Sequence, residues 1–156
     1  MYKNYTNYDK TKYTPKKAVK TFLDLEVYQK SLEASVFTAN EIIKKFQEKN
    51  KPAKGEDIAA KIIDCIGICS MKIPHLIAEA HSCRFGSSTK CLDILDEAML
   101  QCNKAVAYIE QTRDICETKV EWEKFDELIK KYFYIRRKVL NLQRVWRKYI
   151  IAKTDE

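Results

Sequence analysis

Between Thr21 and Lys49 the positions Leu25, Tyr28, Leu32, Ser35, Ala39, Ile42 and Phe46 alternate at intervals of three and four. That is the spacing of one helical face. It predicts a first helix over about 21–49, opened by Thr21 with Asp24 three residues later, where Glu or Gln is more usual. Pro52 and Gly55 in the run QEKNKPAKGE end it in a loop. A second helix is expected over about 56–81. Its apolar positions, Ile58, Ile62, Cys65, Ile66, Cys69, Ile73, Leu76 and Ile77, are too many for one stripe and predict a central helix or one buried on two sides. Pro74 lies inside it; the missing backbone donor and the crowding of the Ser70 carbonyl predict a kink. After the loop SCRFGSST, Ser87 or Ser88 is the expected cap of a third helix, about 88–114, with the stripe Leu92, Leu95, Met99, Cys102, Val106 and Ile109. Thr118 with Glu121 fits a capping box for a fourth helix, about 119–152. Its stripe is the most regular of all: Phe125, Leu128, Tyr132, Ile135, Val139, Leu142, Trp146 and Tyr149.

Four amphipathic helices joined by short loops predict an all-α chain, an antiparallel up-down-up-down four-helix bundle with helices crossing at about 20°. Three Gly and three Pro are too few for the corners of a β-sandwich or barrel, and 156 residues suit one domain, expected over 18–153. Residues 1–17 carry four tyrosines among Lys, Asn and Thr with almost no aliphatic anchor, and are expected to form a flexible basic arm. The most apolar stretch, Ile58 to Ile77, contains Lys61, Asp64 and Lys72, so no membrane partner is expected. MYKNYTNYDKTKYT at the start lacks the apolar core of a secretory signal, which predicts a cytoplasmic protein whose six cysteines stay reduced.

Candidate chemistry is sparse. A di-metal carboxylate centre in a bundle needs Glu-x-x-His on two helices, but the only histidines, His75 and His81, do not follow a Glu at that spacing. Cys65, Cys69, His81 and Cys83 form no paired zinc knuckle, and Cys91 and Cys102 read as small apolar filler. Gly55, Gly67 and Gly86 are isolated, so no phosphate loop or nucleophile elbow can be assembled. Asp64 and Glu79 have no partner at a defined spacing and read as solvated or ion-paired carboxylates. The expectation is a protein without catalytic residues, metal or cofactor.

Charge changes the picture. The net +7 is segregated: residues 1–20 hold six Lys and one Asp, and residues 128–153 hold nine Lys/Arg and no acid. The nine are Lys130, Lys131, Arg136, Arg137, Lys138, Arg144, Arg147, Lys148 and Lys153. One reading is a solvated face whose cations suit the helix C-terminus. The other is a surface for an anionic partner, RNA or DNA first and an acidic protein second, since exposed faces ordinarily mix both signs. Contacts to phosphate would be weakly sequence-specific and salt-sensitive. The candidate nucleic-acid-binding residues are Lys130, Lys131, Arg136, Arg137, Lys138, Arg144, Arg147 and Lys148.

Three segments, FLDLEVYQKSLE, IPHLIAEAHSCRF and LDEAMLQCNKAVAYIEQTRDI, give the stretch from Phe22 to Tyr149 a resemblance to the four-helix bundle proteins encoded in intervening sequences of bacterial 23S ribosomal RNA. Ile73, Pro74, Ile77, Ala78 and Glu79 carry the strongest part; Leu76 and Ala80 stand where that family often has Asn and Gly. The family is similar to the accessory variability determinant of diversity-generating retroelements. The resemblance implies a non-enzymatic homo-oligomer, a pentamer, whose basic helix faces meet nucleic acid. Two alternatives stay open: a retroelement accessory protein that docks a reverse transcriptase, and a protein-interaction scaffold without nucleic acid.

Overall fold

The computed structural model describes residues 18–49, 58–86, 88–116 and 120–154. Within them the chain is helical, with no strand. A short 3-10 turn, Phe22–Asp24, precedes α1 (Glu26–Phe37), which continues through a π-helical stretch, Thr38–Lys44, into α2 (Lys45–Lys49). The other helices are α3 (Ile58–Ser82), α4 (Lys90–Ile115) and α5 (Trp122–Thr154). α3 packs beside α1 and α4, and α5 beside α4 and α1, so four helices pack around one core. The expected N-terminal arm, the Pro52–Gly55 loop, and the cap positions Ser87 and Thr118 lie outside the described residues; Ser88, the other expected cap of the third helix, is not the N-cap, which is Thr89.

The first helix starts later than its capping signal implies. Thr21 and Asp24 frame the 3-10 turn instead: the Asp24 carboxylate accepts from the backbone N–H of Lys20 at 2.9 Å and of Thr21 at 3.1 Å. The inward face also differs from the expected one. Val27, Ser31, Ala34, Thr38, Ile42 and Phe46 are buried, while Leu32 is 45% exposed and Ala39 faces outward. Two causes combine. The π stretch takes up extra residues per turn and puts Thr38, Ile42 and Phe46 on one face at intervals of four, so Leu32, in line with Ile42 and Phe46 on a regular helix, falls outside that face. Ser31 and Thr38, invisible to a hydrophobic count, go inside because their hydroxyls are satisfied locally, on the Tyr28 carbonyl at 2.7 Å and the Ala34 carbonyl at 2.7 Å. With its proton committed to Ala34, Thr38 Oγ1 accepts from the buried Tyr132 hydroxyl of α5 at 2.9 Å. That bond ties the π stretch to the centre of the bundle.

α3 is the apolar element that its composition predicts, with ten buried residues and neighbours on two sides. It runs through Pro74 without interruption, and Pro74 itself is buried. The α4 stripe goes inside, Met99 only in part. On α5 the stripe is buried as far as Val139; Leu142 and Trp146 are half-buried and Tyr149 is 68% exposed. Gln143 is buried instead, its amide donating to the Leu92 carbonyl at 3.0 Å and to Asp96 Oδ1 at 2.6 Å. All six cysteines are free. Burial pushes the Cys69 and Cys91 thiols up and carries Cys102 to about 12, so these three are protonated at neutral pH and behave as filler rather than nucleophiles.

His81, at the C-terminal end of α3, is 6% exposed. Burial first, and the neighbouring Arg84 cation second, hold its pKa below the usual imidazole value. The unfolded chain therefore takes up a proton before the folded one as pH falls, and stability is lost as pH drops from about 6.5 through the lower folded value. Thermal melts followed by circular dichroism are expected to give a lower Tm at pH 5.5 than at pH 7.5. The gap should narrow in His81→Gln; an equal gap in both proteins would contradict this assignment.

Candidate nucleic-acid interface

The cations of α5 divide into an outer row and an inner set. Lys130, Arg137, Arg144 and Lys148 are all exposed. Relative to Lys130 they lie 7, 14 and 18 residues on. At 3.6 residues per turn, steps of seven drift by only about 20° and eighteen residues complete five turns. The four share one line, opposite the buried Leu128, Tyr132, Ile135 and Val139. At a 1.5 Å rise the row spans about 27 Å. Arg147 is exposed on the flank of this row. Among the described residues no carboxylate lies within ion-pair distance of any of these five. Arg137 lies with its guanidinium 5.6 Å from the centre of the Tyr134 ring, which leaves its charge uncompensated.

Three of the expected site residues sit elsewhere, which corrects the picture of one continuous basic face. Lys131 turns toward α1, with Nζ 3.1 Å from Glu33 and 4.0 Å from Glu127, and it also lies 5.4 Å from the Phe37 ring centre. Lys138 reaches Glu26 at 3.7 Å and the Tyr134 ring at 5.3 Å. Arg136 is half-buried, and its Nε is a buried donor without an acceptor among the described residues. These positions follow from helix geometry: Lys131 and Lys138 are one heptad apart on the flank facing α1, and Arg136 lies beside the buried stripe. The side chain of Lys153 lies outside the described residues.

The α1 carboxylates respond to their partners. Glu26 is held below the usual carboxylate range mainly by the Tyr134 hydroxyl, which donates to it at 2.6 Å, with Lys138 and Lys30 adding to the effect. Glu33 is lowered chiefly by its hydrogen bonds from Lys131 and Lys30. Both stay ionised at neutral pH and neutralise the inner lysines. The lysines on the α1 side of α5 thus face carboxylates, and the outer row of α5 does not. Surface pairs of this kind contribute little to stability, but they fix which cations are free. Helix register, rather than charge counting, separates the free five from the others.

Elsewhere, His75, Asp64 and Glu79 are exposed and set apart from this face. Among the described residues no cluster of three or more His, Cys, Asp or Glu has metal-binding proximity, and no helix is long and apolar enough to cross a membrane. The resemblance of three segments to the intervening-sequence proteins gains no support from wider comparison: no protein-family model matches the chain, and neither curated proteins nor solved structures yield a similar one.

Proposed function

We propose that this chain is a non-enzymatic helical bundle that binds RNA or DNA through the outer row of α5, with Lys130, Arg137, Arg144 and Lys148 as phosphate contacts and Arg147 at their edge. The observation that carries this reading is that these five cations have no carboxylate partner among the described residues, although the neighbouring lysines do. A straight row about 27 Å long matches roughly 8 base pairs of duplex at 3.4 Å each. The mechanism is electrostatic: cations replace condensed counterions, and no base edge is read. Neighbouring helices running antiparallel would present this row on a rigid rod. The pairings of Glu26 with Lys138, Glu33 with Lys131, Asp96 with Gln143 and Arg113 with Asp126 support that order, since each descends one helix as it climbs the other. Self-association, a pentamer being the form implied by the resemblance, would repeat the row and raise avidity where the copies reach one strand together.

Fluorescence anisotropy with labelled RNA and DNA duplexes of unrelated sequence tests the reading. Saturable binding at about 50 mM salt, of similar strength for unrelated sequences, is expected. Negligible binding to every duplex at that salt would overturn it. A second reading, a docking face for a protein such as a reverse transcriptase, is favoured by the exposed Phe133, Val145 and Tyr149 among the cations. It predicts that replacing these three by Ser weakens the partner complex while nucleic-acid binding stays intact.

A further inference from the structure

Near the end of α5, Leu142 and Trp146 pack only in part against the core. With Ile150 they line a cleft of about 730 Å³, faced by Leu25 and by the turn that follows α3. That volume lies within the range of small-molecule sites, roughly 300 to 1,000 Å³. The walls are predominantly apolar, and among the described residues the charged side chain in them is Arg84.

Among the described residues, Arg84 is held by His81 and Phe85. Its Nη1 donates to the backbone carbonyl of His81 at 2.6 Å and to His81 Nδ1 at 3.2 Å, and its guanidinium lies 4.0 Å from the centre of the Phe85 ring. Among the described residues no carboxylate pairs with it. Because the guanidinium can only donate, Nδ1 must be the lone-pair nitrogen, and the neutral ring carries its proton on Nε2. Nε2 is buried and has no acceptor among the described residues. The imidazole thus anchors the guanidinium without neutralising it. A fixed, half-buried cation in an apolar cleft stabilises a ligand that brings an anion on a greasy body, since charge-assisted hydrogen bonds gain strength away from water.

We propose that this cleft binds a small amphipathic monocarboxylate, with an alkyl chain of medium length lying along Leu142 and Trp146 and its carboxylate on Arg84. The site is separate from the outer row of α5 and does not depend on nucleic-acid binding.

The chain has two tryptophans, and Trp122 stands at the opposite end of α5, so Trp122→Phe leaves Trp146 as a local reporter. Titration of that protein with decanoate, below micelle-forming concentrations, is expected to give a saturable change in Trp146 emission. 1-Decanol, of the same length but neutral, should bind about tenfold more weakly, and this comparison needs no change at the site. Arg84→Gln should weaken decanoate about tenfold and leave decanol unchanged, with helicity checked by circular dichroism. Equal affinity for decanoate and decanol, or the absence of any saturable Trp146 response, would overturn the proposal. So would an Arg84→Gln protein that folds and binds decanoate as tightly as its parent.

Discussion

Leu95→Asp is expected to abolish folding at 25 °C. Leu95 is wholly buried at the centre of the core on α4. The substitution removes a packed side chain and places a carboxylate where nothing can pair with it, a combined loss of more than about 5 kcal/mol. That approaches the whole stability of an ordinary domain, about 5–15 kcal/mol. Far-ultraviolet circular dichroism should show most of the helix signal gone. Leu142→Asp is the instructive contrast. The stripes of the third and fourth helices give the two leucines equal standing, but Leu142 is only half-buried and lines the cleft. A carboxylate there reaches water, and the protein is expected to stay helical and melt cooperatively. A native-like Leu95→Asp protein would mean that the core is wrongly assigned.

Replacing Lys130, Arg137, Arg144 and Lys148 together by Glu is expected to weaken nucleic-acid binding by at least about a hundredfold at 50 mM salt, because four phosphate contacts become four repulsions. All four are exposed and opposite the buried stripe, so the melting temperature should change little. The paired control is Lys131→Gln with Lys138→Gln. These lysines already face Glu33 and Glu26, and their loss should alter affinity by no more than about threefold. Equal losses from the two sets, measured by anisotropy, would show that total charge rather than the outer row governs binding.

The division into helices was legible in the sequence because the 3,4 repeat of α4 and α5 is carried by large apolar residues from Leu92 to Ile109 and from Phe125 to Val139. The inward face of the first helix was not. Its buried positions include Ser31 and Thr38, whose polarity is cancelled by hydrogen bonds that a hydropathy pattern does not record, and a π stretch breaks the period. Gln143 went inside for a similar reason, since its amide finds Leu92 and Asp96 on a helix some fifty residues away in the chain. At the candidate site the run of cations without acid was visible from composition. Which of them stay free was not, because the neutralising carboxylates of Glu26 and Glu33 belong to another helix. Arg136 shows the limit most clearly: the same run that suggested phosphate contact contains one guanidinium turned toward the core.

The central claim, that phosphate is held by a small set of unpaired cations on α5, is tested most directly by the dependence of affinity on salt. Plotted as log affinity against log salt concentration, four to five contacts at about 0.7 to 0.9 counterions each give a slope of roughly −3 to −4.5 for both RNA and DNA. A slope near zero would contradict the account, as would one far steeper that persists in the fourfold Glu protein.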